Sequence, residues 1–426
     1  MALTEQRPYA RCDITCEETN MTITTQSSAR SILALFWSVV LVASIFILVP
    51  APAQANPAFA RRFNAKCTMC HAPLPPRLNN LGLTFKRLGY RLPDIDDQGR
   101  LVLQDPSIRS IADAFSLIGD IRLDKFRDTP AAFSMHEVEL MGAGTAGRNL
   151  SFAAETAWED GEFMMENFEG QLLFGKPESN FTARFGLVSP LLWDKFGHQR
   201  LGVARAHLLN RRAPVGAFVG FRPRDNQEGV EVGVNLLRAG AEGGGMRSTF
   251  LSVGIYNGLT EVGNEFGDNN SSKDVMAQAV HLWGESHTIG ALWYRGKVTD
   301  IGTPAFSDTY SRWGVFGSYA LRAGSDVLGG FMVGRDDATD STIGRVSSRS
   351  WFLEVSQTIA PLTAAFARYD RFEPRRPLES SIRRGLTLGV ASQPLEHLLV
   401  TGEYTGQRVG TGTRSRDLVL RVVVIY

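Results

Sequence analysis

The sequence predicts a mainly β protein: a transmembrane antiparallel β-barrel of about sixteen strands behind a small N-terminal helical segment. Three observations predict it. From about Asp113 onward, stretches of roughly ten residues alternate apolar and polar, separated by clusters of Gly, Asp, Asn, Ser and Pro. In the C-terminal half short connections interleave with longer polar ones, the asymmetry expected between the two rims of an outer-membrane barrel. The chain also stops on an alternating strand, Leu418, Leu420, Val422, Val424 and Tyr426, with an aromatic residue last.

Composition narrows the alternatives. The 426 residues carry 45 basic and 44 acidic side chains, which gives no electrostatic case for nucleic acid as a partner. Only one apolar run approaches the ~20 residues of a membrane helix, so a polytopic helical protein is excluded. The 42 glycines fit a β-rich chain with many turns.

That apolar run is residues 31–49, with Arg30 before it and Pro50, Pro52 and Ala53-Gln54-Ala55 after it. A basic flank, an apolar stretch and an A-x-A site read as a secretory signal, residues 1–55, cleaved after Ala55. Residues 1–20 are polar and partly acidic, and Met21 gives a cleaner signal as the start. Cys12 and Cys16 are then absent from the exported chain of 426 − 55 = 371 residues, which keeps two cysteines.

The second element is residues 56–112. It holds Cys67-Thr68-Met69-Cys70-His71, the C-x-x-C-H attachment signature of a c-type haem. Two thiols at this spacing reach both haem vinyls, and the adjacent imidazole reaches the iron. Cys67 and Cys70 are therefore the expected covalent haem ligands, His71 the axial iron ligand, and one haem c per chain the expected cofactor. A disulfide, a redox dithiol and half of a zinc site are the competing readings of C-x-x-C. Zinc wants four ligands, and no other cysteine remains. Nine Lys or Arg between residues 56 and 110 suit the haem propionates or a solvated basic face. Leu81, Phe85, Leu88 and Leu92 fall at helical spacing and offer one apolar face to the porphyrin.

The sixth iron ligand is missing from this segment. Met69 lies inside the attachment loop, and neither Met nor His occurs between His71 and Met135. The iron then takes water, a weaker group such as Lys86 or Asn79, or a ligand from the barrel wall. The wall candidates are Met135, His136 and Met141. Glu137 and Glu139 mark the lumen side, which puts Met135 and Met141 inward and His136 toward lipid unless a bulge intervenes.

The third element, residues 113–426, is the barrel. Strand starts are expected near residues 113, 131, 149, 164, 180, 229, 246, 275, 287, 310, 327, 350, 361, 383, 396 and 415. Long polar loops are expected near 257–274, 298–309, 336–349, 371–383 and 406–414. Residues 190–228 contain a candidate seventeenth strand (Val215, Ala217, Val219, Phe221), but counting it breaks the parity. This stretch reads as a long outer loop folded into the lumen.

Phe59-Ala60-Arg61 precedes the haem motif, and Pro76, Leu78-Asn79, Gly82, Phe85-Lys86 and Gly89-Tyr90 follow it. Over about residues 56–93 the chain resembles the fused monohaem cytochrome c–porins of the outer membrane of iron-oxidising bacteria; over the barrel the likeness is architectural. The resemblance implies a cytochrome segment plugging a roughly sixteen-stranded barrel in the outer membrane of a Gram-negative bacterium. It implies electron transfer from an extracellular donor such as Fe(II) to periplasmic carriers, cytochromes or cupredoxins, with Fe(II) oxidase activity at the outer side. Two alternatives stand beside it: a porin or transporter with a haem-bearing plug, and a conduit exporting electrons. Asp268, Asp336, Asp337, Asp340 and Glu373 are expected in outer loops as candidate oxygen ligands for ferrous ions. His198, His207, His281, His287 and His397 are scattered, and no nucleophile motif accompanies them.

Overall fold

The computed structural model describes residues 58–426 except 106–113, 127–129, 160, 190–199, 212–221, 239–245, 259–270, 302–305, 322–323, 340–343, 377 and 413. The export signal, Asp268, Asp340, His198 and the candidate seventeenth strand lie outside the described residues. Those described belong to one compact unit, Ala55–Tyr426.

Sixteen antiparallel strands, β3 (Phe115–Phe126) through β18 (Arg414–Ile425), form a closed barrel in which β18 pairs with β3. The expected strands are all present. The largest displacement is β14 (Gly344–Ala360), expected near residue 350. The alternation explains closure: in β9 (Arg247–Tyr256) Leu251, Val253 and Ile255 point outward, while Phe250, Ser252 and Tyr256 are buried inward. No described helix is long and apolar enough to cross a membrane, and the outward apolar belt belongs to the strands. Trp293 lies beside Trp313 on that belt, ring centroids 6.0 Å apart and tilted by 46°, and Trp283, His287 and Tyr319 form an aromatic cluster at the short-turn rim. Aromatic rims around an apolar band are the mark of a barrel seated in a bilayer. This is the architecture of a Gram-negative outer-membrane protein.

Two of the expected long loops are short. β11 (His287–Ile301) and β12 (Phe306–Ala320) continue to within a few residues of each other, as do β13 (Ser325–Thr339) and β14. An apolar band of about 25 Å needs only about ten tilted residues. Beyond it Ser307, Thr309 and Ser311 continue β12 with polar groups outward, because the ladder to β13 keeps their backbone paired.

The N-terminal segment is α1 (Ala58–Phe63), α2 (Asn80–Arg87) and a hairpin of β1 (Leu92–Ile95) and β2 (Leu101–Gln104). Asn79 caps α2, its Oδ1 accepting from Gly82 N at 3.0 Å. The helix expected through Leu92 stops at Arg87. Gly89 and Tyr90 adopt positive φ of 63° and 62°. Tyr90 N donates to Phe85 O at 3.0 Å and Gly89 N to Lys86 O at 3.2 Å. That bond pair is the left-handed stop that a glycine after the C-cap permits. The apolar face therefore divides: Phe85 and Leu92 pack with Tyr90 and Ala153, while Leu88 packs with Leu101, Leu173 and Leu237. The wall and hairpin cover it, where a porphyrin was expected.

The long outer loop between β7 (Ser179–Val188) and β8 (Gln227–Arg238) descends into the lumen over its described residues. Its short helix α3 (His207–Asn210) packs on β13, β14 and β15 (Thr363–Glu373). Wall carboxylates hold it by its main chain: Glu403 accepts from Val203 N at 2.6 Å and Ala204 N at 2.8 Å, and Asp370 from His207 N at 2.9 Å. Leu201 of this loop packs against Leu74 of the N-terminal segment, with Phe366 and Ala391 from the wall. The two inserts meet inside the barrel.

Candidate functional site

The C-x-x-C-H loop opens on a 3-10 turn, Cys67–Met69, because Met69 N bonds Lys66 O at 3.0 Å and Cys70 N bonds Cys67 O at 3.2 Å. His71 N also reaches Cys67 O, at 3.0 Å. Asn79 fastens the loop to α2: its main-chain N donates to Cys70 O at 2.8 Å and its Nδ2 to Met69 O at 2.9 Å. Gly82 is required at the crossing, since a Cβ there would lie 2.4 Å from Cys70 O and 2.7 Å from Leu78 Cδ2.

Both thiols are free and half-buried. Desolvation pushes Cys70 up to about 11, and it also raises Cys67, against a hydrogen bond with Gln393. A redox dithiol works through a lowered thiol; these are raised, which counts against that reading. Burial lowers His71 to about 4, opposed by the main chain of Arg77 and Pro76, so the imidazole is neutral at physiological pH. Its Nδ1 is buried with no hydrogen-bond partner. Two protonated thiols and a neutral imidazole are a donor set that can take thioether bonds and a metal.

Long-range polar contacts seat the segment at the rim carrying the short turns. Asn80 Nδ2 donates to the carbonyls of Trp283, Gly284 and His287 at 2.8–3.0 Å, and its main-chain N to Glu285 O at 2.9 Å. Arg77, 1% exposed, pairs with Glu354 and lies 3.5 Å from Asp326 and 3.3 Å from Ser356 Oγ. Arg62 binds Asp105 at 2.6 Å and Thr145 at 2.9 Å; Arg91 donates to the carbonyls of Gly147, Arg148 and Leu150. Arg61 donates to Phe115 O. The basic residues expected around propionates or in solvent therefore include four that anchor the segment.

The wall candidates are rearranged by a β-bulge. In the pairing of β3 with β4 (Ala132–Thr145) the register jumps, Asp120 opposite Glu137 and Ile121 opposite Met135, so His136 is the extra residue. Met135 sits beside lipid-facing Ile121 and is 59% exposed. This corrects the expectation that Met135 points inward and His136 outward. His136 turns into the lumen, its Nε2 3.3 Å from Glu159 on β5 (Leu150–Glu159). Met141, opposite Ser116 and Glu155, faces the lumen as expected, nearer the segment's rim. His136 lies nine residues up β4 from Thr145, roughly 30 Å along the strand from that rim. The structure does not bring it to His71. Asn79 has both side-chain polar atoms engaged in the loop, which removes it as an iron ligand; Lys86 lies beside Glu169.

Asp336, Asp337 and Glu373 lie on strand ends, where loops were expected, and each has arginine partners. Asp336 pairs with Arg312, Asp337 with Arg335 and Arg345, and Glu373 with Arg349, Arg371 and Arg376. These pairs neutralise the acids expected to gather ferrous ions. Sequence reasoning also missed Gln393 and Glu396, which the turn between β16 (Arg383–Leu395) and β17 (Leu398–Val409) brings to Cys67. No local pattern could signal a contact across more than 300 residues.

No family model and no curated protein matches the sequence. The fold is similar to that of the anion-selective porin from Comamonas acidovorans, at 11% identity and a TM-score of 0.54 over 73% of this chain and 98% of that one. It is similar also to OprB of Pseudomonas putida, at 12% and 0.51 over 74% and 93%. In-vitro folded OmpT of Vibrio cholerae in its trimer form gives 13% and 0.50 over 73% and 98%. At such identities the likeness is one of fold, and the fold is that of an outer-membrane porin-like barrel.

Proposed function

We propose that the chain moves electrons across the outer membrane through one c-type haem, bound covalently by Cys67 and Cys70 with His71 on the iron. The donor is extracellular, with Fe(II) the leading choice, and the acceptors are periplasmic cytochromes or cupredoxins. The observation that carries the reading is the C-x-x-C-H loop itself: free thiols and a buried, neutral imidazole with an unpartnered nitrogen, held at the short-turn mouth. The haem supplies a one-electron couple. The protein residues supply its position. Asn79 and Gly82 fix the loop against α2, and Arg77 and Asn80 fix α2 to the wall. Leu74 and Leu201 share one apolar cluster on the inner wall at β15 and β16, so both inserts occupy the lumen there, which favours a sheath around a redox group over an open aqueous pore. Met141 is the wall residue best placed to complete the iron's ligands, since it faces inward on the segment's side of the barrel.

The porin reading, with the segment as a haem-bearing plug, draws its support from the fold alone. One experiment separates the two. The full chain, produced in cells competent for cytochrome c maturation, is reconstituted in vesicles and treated with Fe(II) under anaerobic conditions. Haem reduction with negligible solute conductance supports electron transfer. Conductance for small solutes that ignores the haem's redox state supports the porin, and a denatured band without haem peroxidase stain overturns both.

A further inference from the structure

The lumen wall holds a second cluster of metal-ligating groups, apart from the haem loop. Ligand atoms of Asp120, His136 and Glu137 all lie within 4.8 Å of one another, and Glu159 Oε1 adds a fourth, 3.3 Å from His136 Nε2. The imidazole is there because of the bulge in β4; an unbroken strand would aim it at lipid. We propose that Asp120, His136, Glu137 and Glu159 bind one divalent transition-metal ion of the Fe(II), Co(II) and Zn(II) class in the outer half of the lumen.

Chemistry and access favour that class. One imidazole with three carboxylates is a borderline nitrogen and oxygen donor set, suited to divalent first-row ions. Two carboxylates, Asp120 and Glu137, meet at the imidazole and Glu159 reaches it from β5; beside them Glu155 is within hydrogen-bonding reach of both Glu139 and Glu166. Arg122 and Arg421 both hold Asp120, at 2.7 and 2.9 Å, and Arg200 of the lumen loop lies by these two arginines. Asp120 Oδ1 keeps only a 3.3 Å contact with Arg122 Nε. Glu159 is the last residue of β5, at the outer rim, and the side chains of His136 and Glu159 are each 28% exposed.

The site does not depend on the haem, and its test reads metal alone. Purified full-length protein in detergent is titrated with cobalt chloride in a calorimeter, beside His136→Ala, Glu137→Gln and lipid-facing His281→Ala. The wild type and His281→Ala should bind one Co(II) with the same Kd, and His136→Ala and Glu137→Gln should each weaken it at least tenfold. Heat-modifiable migration on gels checks that each variant keeps its barrel. A Cys67→Ser/Cys70→Ser chain, unable to hold haem covalently, should bind Co(II) like the wild type, which keeps this proposal separate from the haem reading. No saturable binding by the wild type, or a folded His136→Ala within twofold of it, overturns the site.

Discussion

Replacing Arg77 by Met should loosen the N-terminal segment from the barrel. The guanidinium is 1% exposed and faces Glu354, itself 2% exposed, with Asp326 and Ser356 beside it. Methionine keeps much of the volume but strands Glu354 in the interior. Breaking a buried pair from one side costs about 3–5 kcal/mol. The lower end applies, because Arg368 still lies 3.4 Å from Glu354. About 3 kcal/mol corresponds to a roughly hundredfold larger undocked population. Hydrogen exchange reads it directly: the Leu83 amide, bonded to Asn79 O at 3.0 Å in α2, should lose about two decades of protection while strand amides keep theirs. Adding Glu354→Gln should recover most of the loss, since the stranded charge is gone and Arg368 keeps Asp370 at 2.9 Å. Unchanged protection in the single variant would refute the view that this pair holds the segment in place.

Other consequences are open to direct measurement. In haem-free chain, alkylation of Cys70 at pH 8 should run roughly a hundredfold slower than that of an exposed cysteine and rise about tenfold per pH unit, because a pKa raised to about 11 leaves little thiolate; rates equal to free cysteine would contradict the burial. Asn79→Ala should destabilise α2 by about 1 kcal/mol through its cap alone and by more through the lost tie to Met69 O, seen as faster exchange at Gly82 and Leu83. Gly82→Val should block seating of α2 on the haem loop, and a variant that attaches and seats the haem with an unchanged spectrum would show that the crossing is looser than 2.4 Å implies. Fractionation should place the chain with outer-membrane markers and in a heat-modifiable form; recovery as a soluble protein would contradict the lipid-facing belt.

What could be read from the sequence, and what could not, follows from how far each feature reaches along the chain. The C-x-x-C-H motif is complete within five residues, so the haem expectation could be drawn before any fold. The sixteen strands were legible because a period of two repeats down every strand and a one-residue slip would reverse both faces. The same logic hides the bulge. His136 turns inward only because β3 pairs Asp120 with Glu137 and Ile121 with Met135, a relation between two strands that neither strand spells out. Gly89 did carry the helix stop, but Leu92 continued the apolar period and masked it; burial of Leu92 belongs to β1, one strand later. The arginines misled for a related reason. Composition registers a basic segment, whereas Arg77 is defined by carboxylates 249 and 277 residues away. Once those partners are known, the segment's charge has a structural task. A segment of 57 residues (56–112), too small for a core of its own, borrows the inner wall of the barrel as its interior, and its buried cations meet the carboxylates that line a polar lumen.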